Sequence, residues 1–470
     1  MKEPGFAGLQ VLFWSAADNS SAFGTDVHLS AVPIYIKIHM FHSQQKSCEK
    51  NSRQIKFPTD QFRSKVGAGT KMVTTIQLPS NTDDFSLRLK NDNYAITGGS
   101  YDENSTIIVG NGEDTFQGGD HNVGGTVTLG NGDDTFTGGD YDTASMVTLG
   151  NGTDTFIGGN HNVGSHIVLG NGNDTFHGGS FDSDSVSILG DGDDTIFGGA
   201  NGTNNSLIVG NGDDTFYGGS DDVGSHLTFG NGDIHFFSGS FSTGTVITFG
   251  NGDDIMDSSL SSGHNTDTTI IAGNGNDTLS CAPGLSITQE SSITAGNGDD
   301  IVTASAYQAG PLKGESFATI NLGNGNDTVT VLGKDSTITV GDGNNTINSG
   351  GQSHITVGNG TNTINVGMSD TIAVGHGNDT FVFNQTVPNT IGTVIIAGFD
   401  PGHDVIQVSS QEAASLGLTG TQQQMDSELL ALFQDTGPAG SAQLHLSATD
   451  SITLTDVHTA ALTAHDFLIA

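Results

Sequence analysis

GNGEDTF (110–116), GNGDDTF (130–136), GNGTDTF (150–156), GNGNDTF (170–176), GDGDDTI (190–196) and GNGDDTF (210–216) set a step of twenty residues through the middle of the chain. A fixed step of this size is the signature of a solenoid, in which one repeat is one coil and like residues stack in every coil. What stacks here is a carboxylate. Asp114, Asp134, Asp154, Asp174, Asp194 and Asp214 stand one strand spacing apart, about 4.8 Å. Like charges at that distance repel unless a cation lies between them, so the file predicts a metal.

Working outward from the motif, each twenty-residue unit holds two strand-like segments separated by two turns. The segment after the Asp carries Phe116, Phe136, Phe156, Phe176, Ile196, Phe216 and Phe236 at one position. The segment before the next GNG carries Val109, Leu129, Leu149, Leu169, Leu189 and Val209. Two residues earlier stand Ile107, Val127, Val147, Ile167 and Leu207, with Ser187 the exception. Spacing by two puts side chains on one strand face, so these columns form the inner face of a flattened coil. Thr and Ser at the alternate positions supply an outward face suited to strands. The second turn (GGDHNVGG, GGDYDTAS, GGNHNVGS, GGSFDSDS) reads as polar and far less uniform. Its His121 and His161, with His166 and His226 at the edge, are expected to be solvated loop residues rather than a transition-metal site, since no Cys joins them.

After 230 the ladder loosens. Ile234 takes one Asp position, Asp254 restores it, and longer loops separate Asp277, Asp300 and Asp327. The step then tightens, with Asn345 and Asn362 at the ligand position before Asp379. These positions give about 14 rungs, 11 of them Asp. The fold class expected is all-β: a parallel β-roll or β-solenoid of about 14 coils with a small C-terminal α/β cap.

Charge divides the chain into two different objects. Of 13 Lys and Arg, 11 lie in residues 1–90, and residues 91–470 hold 45 acids against 2 bases, a net charge of −43. Nucleic-acid binding draws on Lys and Arg, and an anionic membrane repels such a surface; both are excluded as partners. Cations are the natural partners, and they relieve the self-repulsion of the acidic part. Cys48 and Cys281 are the only cysteines, so no disulfide framework staples the fold and metal is left to do so. No apolar run reaches the length of about 18 residues that suggests a membrane helix, and no membrane insertion is expected.

The donor set selects the ion. Oxygen-only ligands favour hard cations, and a loop offering backbone carbonyls plus a carboxylate suits Ca2+ better than small octahedral Mg2+. Gly110 and Gly112, with their counterparts Gly130, Gly132, Gly150, Gly152, Gly170 and Gly172, free the backbone to turn carbonyls toward one point. The Asp two residues after the second Gly reaches the same point, so each Ca2+ is shared by two successive coils. The candidate metal ligands are these turns and Asp114, Asp134, Asp154, Asp174, Asp194, Asp214, Asp254, Asp277, Asp300, Asp327 and Asp379.

LGNGDDTFT (129–137) matches the nonapeptide GGxGxDxUx at every specified position but the first Gly. Over roughly residues 98–408 the chain resembles the RTX, or haemolysin-type calcium-binding repeat, family. In that family a parallel β-roll binds Ca2+ in the turns on both sides of the coil. Here only one turn keeps the motif and the coil has twenty residues, so the expectation is a single main calcium column. IIAGFDPGHDVIQVS (395–409) resembles the segment that closes such rolls, which implies Asp400 and Asp404 as the pair completing a last metal site.

Two short helices, the second at 422–435, then a strand, a helical turn and an apolar tail end the chain. This is similar to the uncleaved C-terminal signal of type I secretion substrates, and implies an ABC-type export apparatus as partner. The chain therefore divides into a leader (1–71), a capping segment (72–97), the calcium-binding roll (98–394) and a C-terminal cap with secretion signal (395–470). The leader reads either as disordered or as sequence upstream of a start at Met72. Its FAGLQVLFW (6–14) imitates a secretory signal, but Glu3, Pro4 and Gln10 interrupt it.

The function expected is that of a secreted bacterial protein, extracellular or cell-surface-associated, that folds on Ca2+ and serves a structural role, with a cell-surface or matrix glycan as candidate partner. The alternative is a secreted polysaccharide-active enzyme carrying a calcium roll. Residues 1–97 are too short and irregular for an ordinary catalytic domain, and neither HExxH nor GxSxG occurs, so no catalytic residue is assigned and the enzyme is the lesser reading.

Overall fold

The computed structural model describes residues 73–239, 243–257, 267–286, 292–305, 318–383, 391–436, 440–447 and 449–470, together with an antiparallel pair formed by Ile36–Lys37 and Gln54–Ile55. The leader expected over 1–71 otherwise lies outside the described residues. The chain forms two compact units, Met1–Thr195 and Ile196–Ala470.

In the first unit the twenty-residue step becomes parallel strand pairing in register. Thr115–Gln117 pairs with Thr135–Thr137, so that Phe116 faces Phe136, and Thr126–Thr128 pairs with Met146–Thr148. Thr115–Gln117 and Thr135–Thr137 are three residues long because Asp precedes each and Gly–Gly follows, and neither favours extended ladders. Phe116, Phe136, Phe156 and Phe176 stack with ring centroids 5.1–5.4 Å apart and planes within 7°. Opposite them Leu129, Leu149 and Leu169 are buried. Ser187 is buried in the same sheet. The core is one aromatic column against one aliphatic column, as the alternation requires.

The second unit winds in the same way, with Thr215–Tyr217 paired to His235–Phe237 and Ser206–Ile208 to His226–Thr228. Toward its C-terminal side the inner columns change to Ile320, Ile338, Ile355 and Ile372 against Val329, Ile347 and Ile364, all essentially inaccessible. These smaller β-branched side chains fit the tighter 17- and 18-residue spacing and the pleated surface. The GNG motif ends before the winding does: Thr393–Ala397 pairs with Thr371–Val374, and Val405–Val408 with Thr380–Phe383.

The cap closes both sheets at this end. Phe433–Thr436, Ser441–His445 and Ser451–Thr455 form an antiparallel meander whose last strand lies parallel to Thr393–Ala397. Phe467–Ile469 covers Val405–Val408. Both additions satisfy backbone edges that otherwise invite pairing with another chain. Helices Ser410–Ser415 and Gln422–Ala431 pack here, the second opened by a capping box between Thr421 and Gln424. The expected helix over 422–435 runs four residues too far, because Phe433–Thr436 joins the meander. The windings number about fourteen, a parallel β-solenoid with a small α/β cap, which is the fold class expected.

Candidate metal centre

The aspartate file is buried and stitched. In the first unit the backbone N–H of each Asp donates to Oδ1 of the Asp in the following coil: Asp114 to Asp134, Asp134 to Asp154, Asp154 to Asp174 and Asp174 to Asp194, all at 2.8 Å. In the second unit Asp254, Asp277 and Asp300 donate in the same sense to Asp277, Asp300 and Asp327 at 3.0 Å. Ile234 lacks a carboxylate but still donates its N–H to Asp254 Oδ1 at 2.9 Å. Asp214, by its backbone carbonyl, accepts from His235 N–H.

The second oxygen is the unsolved part. Oδ2 of Asp114, Asp134, Asp154 and Asp174, and of Asp254, Asp277, Asp300, Asp327 and Asp379, is buried without a hydrogen-bond partner. An ionised oxygen left so carries its full desolvation cost. Burial accordingly pushes Asp134, Asp154 and Asp254 up to about 7, and Asp114, Asp174, Asp277 and Asp327 up to about 6. Neighbouring carboxylates add to the rise at Asp134, Asp154, Asp254, Asp277 and Asp327, while the accepted N–H opposes it.

Two rungs reveal what that oxygen faces. Asn345 and Asn362 keep the ladder, accepting from Asp327 N–H at 2.9 Å and Asn345 N–H at 3.0 Å. Their Nδ2 amides donate to the carbonyls of Gly341 at 3.1 Å and Gly358 at 3.3 Å, the first Gly of their own turns. Asp is isosteric with Asn, so the aspartate rungs set an oxygen where the amide nitrogen stands, toward a carbonyl oxygen. Oxygen against oxygen is relieved only by a proton or a cation. Among the described residues no group of three or more His, Cys, Asp or Glu side chains could hold a metal. A cation here is thus held by carboxylate and backbone carbonyl oxygens together, the donor set that suits Ca2+.

The glycines set the spacing of these carbonyls. Gly132 has φ of 153°, and a Cβ there would overlap the carbonyl oxygen of Gly112. A Cβ on Gly130 would lie 2.5 Å from the Gly110 carbonyl. Gly150, Gly152, Gly170 and Gly172 repeat the arrangement. The Asn between them forms a ladder that sequence reasoning missed. Asn131 N–H donates to Asn111 Oδ1 at 3.1 Å and Asn151 N–H to Asn131 Oδ1 at 3.0 Å. Asn side chains accept from the coil after them and Asp side chains from the coil before, so adjacent coils are tied in both senses. Its signal is the recurring Asn of GNG itself, replaced only by Asp191, Asp342 and His376.

Asp404 takes the last rung: Oδ1 accepts from Asp379 N–H at 2.8 Å and Oδ2 from Asp400 N–H at 2.7 Å. Each oxygen thus carries one backbone hydrogen bond, and the contact from Asp400 is made by its backbone N–H.

The second turn is more regular than its residues suggest, which corrects the expectation. Asp102, Asn122, Asp142, Asn162 and Asp182 form another ladder, with Asp102 N–H on Asn122 Oδ1 at 3.0 Å, then Asn122 on Asp142, Asp142 on Asn162 and Asn162 on Asp182 at 2.7 Å. Asp and Asn alternate, so carboxylates fall on every second coil. Burial pushes Asp142 and Asp182 up to about 6. His121 and His161 are not merely solvated loop residues: both stand in a ring stack, His121 with Tyr101 and Tyr141 at 4.7 and 5.0 Å, His161 with Tyr141 and Phe181 at 4.7 and 4.8 Å.

A family model described as RTX calcium-binding nonapeptide repeat (4 copies) matches residues 165–183, 188–202, 200–222, 262–280 and 322–353. No curated protein matches the chain. No helix of the described residues is long and apolar enough to cross a membrane. The matched repeats, the parallel winding and the file of buried carboxylates agree: the chain carries RTX, haemolysin-type calcium-binding repeats.

Proposed function

We propose that this is a secreted protein whose acidic solenoid completes its folding only in extracellular Ca2+, and which then serves a structural, surface-associated role rather than a catalytic one. The observation that carries the reading is the file of buried, unpartnered Asp Oδ2 atoms. Bound Ca2+ supplies the positive charge that lets these carboxylates stay ionised at neutral pH. The residues that hold it are the Asp of each GNGxD turn and the carbonyls of that turn, above all the first Gly, whose carbonyl the Asn345 and Asn362 amides reach in the rungs without a carboxylate.

Compartment follows from affinity. Extracellular calcium modules work at about 10⁻⁴–10⁻³ M, far above cytosolic levels, so the repeats stay unfolded inside the cell and fold outside by mass action. An unfolded chain is what a narrow ABC exporter of the type I class passes, and the C-terminal 395–470 region is its proposed address. Expression with and without such an exporter tests this. Full-length protein is expected in the medium only when the exporter is present, and loss of export on removing 451–470 supports the address. Turnover of any polysaccharide by the purified protein would overthrow the structural role.

A further inference from the structure

Five successive coils of the first unit place a ring at one position of the second turn: Tyr101, His121, Tyr141, His161 and Phe181, at φ of 59, 62, 60, 61 and 61°. This left-handed conformation suits Gly, Asn, Asp and His, whereas a bulky Tyr or Phe held in it, as at Tyr101, Tyr141 and Phe181, is an outlier that something else must select. The second unit shows the relaxed solution at the equivalent position, Asn201 at 59° and Asp221 at 60°. Burial does not select the rings, since Tyr101, Tyr141 and Phe181 are 57, 51 and 53% exposed. They stack on one another with centroids 4.7–5.0 Å apart, leaving a continuous ribbon of ring edges in water.

We propose that this ribbon binds a neutral, hydroxyl-rich linear polymer, a polysaccharide laid along the stack of coils. The inference rests on the surface-associated reading above and gives it a site. Three features choose the ligand. The exposed edges mix apolar ring C–H with phenolic hydroxyls and imidazole nitrogens, so a purely apolar partner would strip their water without replacing its hydrogen bonds. Beside the rings runs a polar ladder of Ser100, Asp120, Asp140 and Asn160, in which Asp120 N–H donates to Ser100 Oγ and Asp140 N–H to Asp120 Oδ1, both at 3.0 Å. Its carboxylates accept from sugar hydroxyls and repel anionic polymers. The in-register repeat sets a ring at the same position five times along one line, which suits a repeating ligand bound through many weak contacts.

The test uses full-length, Ca2+-loaded protein in native affinity gels containing hydroxyethyl cellulose, dextran or polygalacturonate. Beside it runs the variant Tyr101→Asn, Tyr141→Asn, Phe181→Asn, which installs the residue that the second unit already holds in this conformation. The expected result is retardation of the native protein by a neutral polymer and not by polygalacturonate, with affinity at least about tenfold weaker in the variant and its melting temperature unchanged or raised. Equal retardation of the variant, or no retardation of the native protein by either neutral polymer, overturns the proposal. So does retardation by polygalacturonate alone. A variant that melts lower but is retarded as before assigns the rings to stability and also overturns it. Whether native protein sediments with producing cells tests the surface-associated reading separately; if it does while no polymer retards it, the ribbon alone fails.

Discussion

The Asp134, Asp154 and Asp174 rungs of the first unit and the Asn345 and Asn362 rungs of the second occupy the same place in the coil and accept the same backbone hydrogen bond, yet only the amides are complete. Each Asn donates its amide to the first Gly carbonyl of its own turn, while each Asp leaves an oxygen buried with nothing to accept from. Stitching the coils together needs only Oδ1. The other oxygen contributes nothing to the ladder and is costly to bury charged, so its retention along the file marks a requirement other than strand registration. That requirement is the cation.

Removing the cation breaks the comparison most widely. One site filled at 100 times its Kd adds about 2.7 kcal/mol, so several lost together are comparable with the roughly 5–15 kcal/mol by which domains are stable. In chelator at pH 7.5, hydrogen exchange is expected to strip protection from Thr155 and Thr175 N–H, bonded to the carbonyls of Asp134 and Asp154 at 2.8 Å, while Thr363 N–H on Asn345 keeps more of its own. Equal loss at all three would mean that the amide rungs are no more self-sufficient than the carboxylates.

Exchanging the rungs sharpens it. Asp154→Asn keeps the acceptor for Asp134 N–H and adds a donor toward the turn carbonyl, so in chelator it is expected to stabilise the protein by about 1–3 kcal/mol and in Ca2+ to cost one site. Asp154→Ala orphans the buried Asp134 N–H and should destabilise under both conditions. The reverse change, Asn362→Asp, should lower stability in chelator by a similar amount and leave it more dependent on Ca2+. Urea melts of all three with and without Ca2+ give the signs.

A smaller effect is expected from pH. Carboxylates at about 6–7 in the folded state, against 3.8 ordinarily, bind protons more tightly folded than unfolded. Without metal, stability therefore falls as pH rises from about 4 to about 7. Lowering the pH from 7.5 to 5 in chelator should raise the melting temperature by several degrees. The same change in millimolar Ca2+ should not, because protons then displace the ion. Smallest of all is Asp404→Asn: with both carboxylate oxygens already bonded, it should cost about 1 kcal/mol, equally with and without Ca2+.

Much of this was legible in the chain because the inner-face columns and the GNGxD turn repeat by residue identity as well as by spacing. The second turn was not, because its ladder alternates Asp102, Asn122, Asp142, Asn162 and Asp182. Asp and Asn accept the same N–H, so the hydrogen bond recurs every twenty residues while the residue recurs every forty. Tyr101, His121, Tyr141, His161 and Phe181 beside them share a flat ring rather than an identity, and only writing the coils in register exposes the column. The role of Oδ2 was also hidden. Repulsion between stacked carboxylates is visible in sequence, but the carbonyl each one faces appears only through the Asn345 and Asn362 contacts. At the cap, Phe433–Thr436 read as helix because Leu429, Leu430, Leu432 and Phe433 are apolar at helical spacing, whereas the available strand edge of Ser441–His445 decides the outcome.

The most direct test of the central claim is a Ca2+ titration of metal-stripped protein at pH 7.5, followed by calorimetry and far-ultraviolet circular dichroism on the same sample. The account predicts uptake of several ions per chain, with the strand signal rising in step and an equal concentration of Mg2+ failing to produce it. A full strand signal in chelator, with no heat on adding Ca2+, would contradict it.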